Sequence, residues 1–409
     1  MPATVGSNSV VVKQQNMEAV KRILYRKAPI SRADIAVQLG LTPATITNIT
    51  ADLISRGYVE EMKEEPGKPA KGAGRKPVMI DLKRDCHTVL GLSLGRDSTC
   101  FAICDMRGEV LASGIYEVMN DEYSVMLHQL QGILSLIRQE HGVLWEKLLG
   151  IGIAIPGIVN AHQGIVKNHG KERLSWRNQP LGEEISRFTG LPVRVENNVK
   201  ARSNAITLFW PNLLEGGTTF ALCYVSFGIA CPFVMGDRVF RGEDAAAGEI
   251  GKMILRPELK EAPGFAPPGS LEALSSARAI IRQCQEQMKQ GRNTVLNSLC
   301  PNPAELRISH VLEAQRQGDE TVREIMEQAM FYVGIALANI VDIINPRLII
   351  LSGPLFANHE NVETVEHTVR QYVFLPEDEI LRIQAVDMSE YAGAIGAVAG
   401  CIDKYFIRA

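Results

Sequence analysis

Five small side chains stand close together near the N-terminal end: Thr42, Ala44, Thr45, Thr47 and Asn48. Thr and Asn can hydrogen-bond base edges or phosphate oxygens, and an alanine methyl can pack on a thymine methyl. At the start of a helix, such a cluster can read duplex DNA. Ser31 joins this candidate set, although it also fits a helix cap. Further on, the small-residue loop Gly72-Ala73-Gly74-Arg75-Lys76-Pro77 carries Arg75 and Lys76, which could lie along phosphates or enter a minor groove. The eight cysteines show no CxxC pair and no regular spacing. They read as scattered, mostly buried thiols of a reducing compartment.

The elements that must hold these side chains follow from spacing and caps. Met17, Val20, Ile23 and Leu24 give residues 16–27 a helical period. Ser31 with Asp34 forms a capping-box pattern, Ile35, Ala36 and Leu39 supply a buried face, and Gly40 ends this second helix. Thr42 caps a third helix with Pro43 at its first position; Ile46, Ile49, Leu53 and Ile54 face inward and Gly57 stops it. Two short helices joined at Gly40-Leu41 make a helix-turn-helix, whose second helix enters the major groove by its N-terminal end. Pro43, Ala44, Thr47 and Asn48 then point outward, with Thr45 beside them. The competing reading is a helical hairpin for protein contact. Strand-like residues 58–62 and 78–82 flank the basic stretch 63–77, as in a wing; taken alone, that stretch also reads as a linker.

Charge supports a DNA-facing end. Between Lys13 and Arg84 there are 14 Lys and Arg against 8 Asp and Glu, a balance of +6; the whole chain carries −3, so the remainder carries −9. Residues 1–15 lack the apolar core of a signal peptide. The longest uncharged apolar stretch, residues 220–236, is interrupted by Ser226, Gly228 and Pro232, which argues for strands and a turn. A cytoplasmic protein with no membrane partner is the expectation.

From residue 88 the pattern becomes α/β. Strands are expected at 88–94, 98–105 and 109–118, a helix at 123–141, a strand at 148–155, a helix at 181–189 and a strand at 192–196. A second series runs through strands at 218–226, 230–235 and 238–240, a helix at 320–344, a strand at 347–351, a helix near 361–373, a strand at 380–386 and a last helix at 391–405. The repeated order predicts a duplicated α/β architecture of the actin-like, sugar-kinase-like ATPase type, with an N-terminal winged-helix DNA-binding domain. Such folds bind ligands in the cleft between halves; fold alone assigns no function. The expected division is 1–83 for the DNA-binding domain, 84–197 plus 390–409 for a small subdomain, and 198–389 for a large one carrying the pocket and a dimerisation surface.

Five segments resemble the ROK family of bacterial sugar-responsive repressors and sugar kinases. They are residues 153–160 (IAIPGIVN), 195–198 (VENN), 242–251 (GEDAAAGEIG), 269–272 (GSLE) and 345–351 (NPRLIIL). Their order and spacing cover nearly the whole chain from Lys13, and the N-terminal extension places it with the repressor branch. The resemblance implies that Asn197, Asn198, Glu249, Lys252 and Glu272 face an effector, with carboxylates and amides meeting hydroxyls that both donate and accept.

The departures from the family pattern carry the rest. Ser93 stands where kinases hold an acidic residue for Mg-ATP. The second phosphate loop reads SFGIAC at 226–231, bulkier than close backbone approach allows, and Ser352-Gly353-Pro354 replaces the adenosine-side glycine cluster. Asn198 replaces the catalytic Asp, and an amide cannot accept the hydroxyl proton. A polar strand-to-helix cap is the structural alternative for residues 196–198. The family's zinc ligands are replaced by Lys252, Pro263, Phe265 and Ser270. The expectation is no catalysis, no metal and no cofactor.

Lys252 leaves two readings open: a contact to an acidic effector, or a pair with Glu249 or Glu272. His162, His169 and the Trp176 loop are candidates for lining the cleft. The function so implied is a DNA-binding regulator, a repressor of carbohydrate genes, acting as a homodimer or homotetramer on a double-stranded operator under a carbohydrate-type effector. An active ATP-dependent sugar kinase with a DNA-binding arm and a regulator controlled by a partner protein are the alternatives.

Overall fold

The structure, a computed structural model, describes residues 9–62, 77–95, 98–117, 122–168, 176–214, 217, 219–261, 263–374 and 381–409. The chain divides into two compact units, Met1–Leu213 with Glu390–Ala409, and Leu214–Ser389.

The first unit begins with α1 (Ser9–Lys27), β1 (Ile30–Ser31), α2 (Arg32–Leu39) and α3 (Pro43–Ser55). Ser31 caps α2 by accepting the Asp34 N–H, Gly40 closes it at φ 62°, and Thr42 caps α3 ahead of Pro43. Strands β2 (Val59–Glu61) and β3 (Met79–Leu82) follow, and β3 lies between β1 and β2 in an antiparallel sheet. This is a winged helix. Residues 63–76, which include Arg75 and Lys76, lie outside the described residues.

The first unit continues through β4 (Thr88–Leu94), β5 (Ser98–Asp105), β6 (Val110–Glu117), α4 (Tyr123–Glu140), α5 (Gly142–Trp145), β7 (Leu148–Ile155), the hairpin β8 (Ile158–Asn160) and β9 (Ile165–Asn168), α6 (Leu181–Thr189), β10 (Val193–Asn197) and α7 (Asn198–Phe209). Its sheet runs β10-β7-β4-β5-β6, with β7 and β10 parallel to β4 and the remaining pairs antiparallel.

The second unit holds β11 (Phe220–Val225), β12 (Ile229–Ala230), β13 (Phe233–Met235), β14 (Arg238–Phe240), α8 (Leu271–Ser275), α9 (Ala277–Lys289), α10 (Leu296–Leu299), α11 (Ile308–Arg316), α12 (Glu320–Ile344), β15 (Leu348–Ser352), α13 (His359–Tyr372) and β16 (Arg382–Ala385). Its main sheet order is β16-β15-β11-β13-β14, again with the two later strands parallel to the first. The two sheets therefore share one topology, the duplication expected from the sequence. Helix α12 is long and apolar enough to cross a membrane, but it packs against α8, α9 and α13 and supplies much of this unit's core.

The chain then returns to the first unit as α14 (Ala392–Ile402), which lies across β4, β7 and α7. The approach is close enough to require glycine. A Cβ on Gly91 would meet the Ala394 carbonyl, and one on Gly152 the Ala397 carbonyl. The division expected at 197/198 falls at the start of α7; the structure keeps α7 with the first unit because it packs on α14. The winged helix also groups with this unit. Val20, Leu24, Ile35, Ile46 and Leu53 share one buried cluster with Ala394, Val398, Ile402 and Phe406. All eight cysteines are free, and burial pushes the thiols of Cys104, Cys223, Cys284 and Cys401 up to about 12.

Candidate functional site

Helix α3 buries Ile46, Ile49 and Leu53 and leaves Pro43, Ala44, Thr47 and Asn48 exposed, with Thr45 half-buried. The Thr42 and Thr45 hydroxyls bond each other at 2.9 Å, and Thr42 Oγ1 accepts the Thr45 N–H at 3.3 Å. Thr47 turns its hydroxyl into the helix, donating to the Pro43 carbonyl at 2.8 Å. Ser31 does not belong to this face. It is buried, and its hydroxyl is committed to Asp34 at 2.7 Å and to the Asp34 N–H at 3.1 Å. The sequence signal for a cap was the right one, and the cap consumes the hydroxyl. Arg32, absent from the sequence-derived set, ties the face together by bonding Thr50 Oγ1 at 3.0 Å and Glu61 at 2.7 Å. Its carboxylate partner is 29 residues away, and no local pattern announces such a contact.

The winged helix is pinned to the rest of its unit by three cations. Buried Lys21 donates to the Phe406 carbonyl at 2.6 Å and to the Ala409 carbonyl at 3.3 Å. Burial first, then repulsion from Arg56, lowers the pKa of its ammonium. Arg22 bridges Glu18 at 2.9 Å and Asp403 at 2.7 Å. Arg107, from the turn between β5 and β6, pairs with Asp81 on β3. It also donates to the Leu24 and Tyr25 carbonyls at 3.2 and 3.1 Å.

In the second unit, Glu272 is the second residue of α8, whose cap is buried Ser270. Glu272 Oε1 accepts from Lys252 Nζ at 2.9 Å. Its other carboxylate oxygen sits where a Cβ on Gly228 would lie 3.3 Å away and one on Gly251 3.0 Å away. Of the two readings left open for Lys252, the structure therefore shows pairing, and with Glu272. Lys252 is half exposed, whereas Glu272 is nearly enclosed. Glu249 is half-buried at the start of the turn Ile250–Lys252, and its carbonyl accepts the Lys252 N–H at 3.1 Å. The preceding loop winds through left-handed Gly242, Ala245 and Gly248. Alanine at φ 62° is strained by roughly 1–2 kcal/mol. Ala245→Gly is accordingly expected to raise stability by about 1 kcal/mol in urea unfolding.

Asn197 and Asn198 stand in the first unit, at the junction of β10 and α7. Asn197 Oδ1 accepts the Val199 and Lys200 N–H groups at 3.0 and 3.1 Å, and its Nδ2 donates to the Gly157 carbonyl at 2.8 Å. It is the strand-to-helix cap that was the structural alternative. Asn198 is half-buried at the first position of α7. Half-buried Ser93 reaches toward α14, where a Cβ on Gly393 would meet its hydroxyl. Trp176 itself is fully buried, edge-on to Tyr123, as a core residue, and residues 169–175 of its loop lie outside the described residues. His162 is exposed, and His169 lies outside the described residues.

Among the described residues no group of three His, Cys, Asp or Glu could hold a metal. The 263–270 loop is held by protein contacts. The Leu255 and Arg256 N–H groups both donate to the Gly269 carbonyl at 2.9 and 3.0 Å, and the Arg278 guanidinium lies 4.5 Å from the Phe265 ring centre.

Comparison with known proteins gives two family matches. A model described as the ROK family matches residues 89–404, and one described as winged helix-turn-helix DNA-binding matches residues 22–60. The chain is 26% identical over 396 residues to a xylose repressor of Caldicellulosiruptor bescii, covering 96% of each chain. It is 26% identical over 348 residues to the DNA-binding transcriptional dual regulator NagC of Escherichia coli, covering 85% of this chain and 82% of that one. A crystal structure of a ROK family transcriptional regulator, a homolog of the Escherichia coli MLC protein, superposes with a TM-score of 0.81 at 25% identity, over 97% of this chain and 98% of that one. A ROK family glucokinase from Streptomyces griseus, solved with glucose and AMPPNP, shares the fold at a TM-score of 0.65 and 20% identity, over 76% of this chain and 98% of that one.

Proposed function

Because the chain belongs to the ROK family, we propose that it is a DNA-binding transcription regulator, a repressor of carbohydrate-metabolism genes, whose kinase-like body binds a sugar-type effector without phosphorylating it. The observation that carries this reading is the joint presence in one chain of a winged helix and a duplicated α/β body, matched over nearly the full length by a solved regulator. Asn198 supports the non-enzyme part, since its amide cannot take a proton from a sugar hydroxyl. The protein would work in the cytoplasm as a homodimer or homotetramer on a two-fold operator. Arg75 and Lys76 would contribute phosphate or minor-groove contacts.

Glu272 and Glu249 of the second unit would face effector hydroxyls, and Asn198 of the first unit is a separate candidate for an effector contact. Asn197 has one amide hydrogen left for a ligand. Lys252 is neutralised by Glu272, which favours a neutral polyol over an acidic effector. The test is a gel-shift assay of the full chain on operator DNA against a panel of neutral sugars, amino sugars, sugar acids and sugar phosphates. One class is expected to change DNA affinity by roughly 5- to 150-fold, the usual span of allosteric coupling. Transfer of phosphate from ATP to any sugar in the panel would put the kinase reading first. A panel with no effect would favour control by a partner protein. Glu272→Gln is expected to weaken the active sugar about tenfold or more, the worth of a hydrogen bond to a charged group. Its melting temperature should move by no more than a few degrees, since the Lys252 end of the pair is half exposed and such pairs contribute little.

A further inference from the structure

The outward face of α3 has an unusual composition for a base-reading helix. Residues 43–51 contain no Lys, Arg, His, Gln, Glu or Asp. The first cation beyond them is Arg56, eight residues past Asn48 and about 12 Å along a helix of 1.5 Å rise. It is already paired with Asp52 at 3.1 Å. Arg32, at the edge of the face, is held by Thr50 and Glu61. Guanine in the major groove is read chiefly by Arg or Lys on its O6 and N7, and this face presents neither.

Beyond the mutually bonded Thr42 and Thr45 hydroxyls at the helix start, what it presents is mostly apolar, with one amide. Thr47 has committed its hydroxyl proton to the Pro43 carbonyl, so that exposed Thr47 offers DNA its methyl and a hydroxyl oxygen that can only accept. The Pro43 ring and the Ala44 methyl are exposed beside it. Ala33 and Val37 of α2, with Leu41, Pro43 and the already bonded Arg32, line a groove of about 410 Å³ continuous with this face, and Val37 is 82% exposed. Among the described residues nothing bonds the Asn48 carboxamide, which can match adenine N6 and N7 in a bidentate pair.

We infer that α3 and the adjoining α2 groove read a run of A·T pairs, through thymine C5-methyl groups against Pro43, Ala44, Thr47 and Val37 and through one adenine on Asn48, and that α3 reads no guanine. This rests on the reading of the chain as a DNA-binding regulator and specifies what its recognition helix recognises. The test starts with selection of duplexes from a random library by the full chain. Each thymine of the recovered half-site is then replaced by deoxyuridine, which removes only the C5-methyl.

Half-sites with contiguous A·T pairs under the helix footprint are expected. Each read methyl should cost roughly fourfold in affinity when removed, the worth of one buried carbon. Asn48→Ala should weaken binding about tenfold and abolish discrimination at one adenine. Thr47→Ser should lose about as much as one deoxyuridine, whereas Thr47→Val should bind like the parent, because the methyl does the reading. Half-sites centred on G·C pairs, or unchanged binding with the deoxyuridine duplexes and with the Thr47→Ser protein, would overturn the inference while leaving DNA binding intact. A library from which nothing is recovered would remove the DNA-binding reading itself, and this inference with it.

Discussion

Gly152→Ala is expected to cost the first unit about 3 kcal/mol, at the upper end for overpacked sites. This corresponds to a fall of roughly 6–12 °C in the melting temperature of a unit of this size. The added methyl would meet the backbone carbonyl of Ala397 on α14, and backbone cannot swing aside as a flexible side chain does. Helix α14 would have to lift away from β7. It is hemmed in on its other side, where a Cβ on Gly396 would meet the Ala201 carbonyl of α7. The control is the same substitution at Gly132, inside α4, where an added Cβ has nothing within 4 Å. Gly132→Ala should be stabilising by about 0.5–1 kcal/mol through helix propensity alone. Opposite signs for one chemical change, measured by urea unfolding, would establish that α14 is seated as described. Equal and small effects would refute that seating.

Arg107→Ala is expected to cost about 2–3 kcal/mol, somewhat less than the 3–5 kcal/mol typical of breaking a fully buried pair. The discount reflects residual exposure: Arg107 is 16% and Asp81 18% exposed. The loss leaves Asp81 without its guanidinium and removes one donor each from the Leu24 and Tyr25 carbonyls at the end of α1, of which Leu24 keeps the Ala28 N–H at 3.3 Å. The damage should be local. Hydrogen exchange should accelerate first in α1, β3 and the hairpin β5–β6, with the protection of α12 and β15 unchanged. A variant with parental exchange in α1 would show that the apolar cluster alone holds the winged helix in place.

Much of this architecture was legible because the patterns are strong. Strands β4, β5 and β7 and helices α6 and α12 begin and end where the sequence places them, with β-branched runs broken by glycine or a 25-residue apolar period. The stretch between β14 and α12 was not. Helix α8 is five residues long, and Ser276 both ends it and caps α9, so no run is long enough to show a period. Helix α1 starts at Ser9 rather than near residue 16, because exposed Val10, Val11 and Val12 read as poor helix formers. At the candidate site, residue types were legible and commitments were not. Whether a Ser caps a helix or meets DNA, and whether a Lys meets an effector or Glu272, depends on partners that sequence distance conceals. The cluster of small residues on α3 was visible from the start; the turning of the Thr47 hydroxyl into its own helix was not.

The shared core of winged helix and α14 also bears on how the protein is made. Lys21 closes on Phe406 across 385 residues of chain, so the first unit cannot complete its interior until its last helix has left the ribosome. Domains usually fold in order of synthesis, at about 5–20 residues per second. Here the DNA-reading end waits roughly 20–80 seconds at those rates for α14, with Val20, Leu24 and Tyr25 lacking the partners that will cover them. A nascent chain that stops before Ala392 carries every residue of the recognition helix and lacks the helix that completes its core.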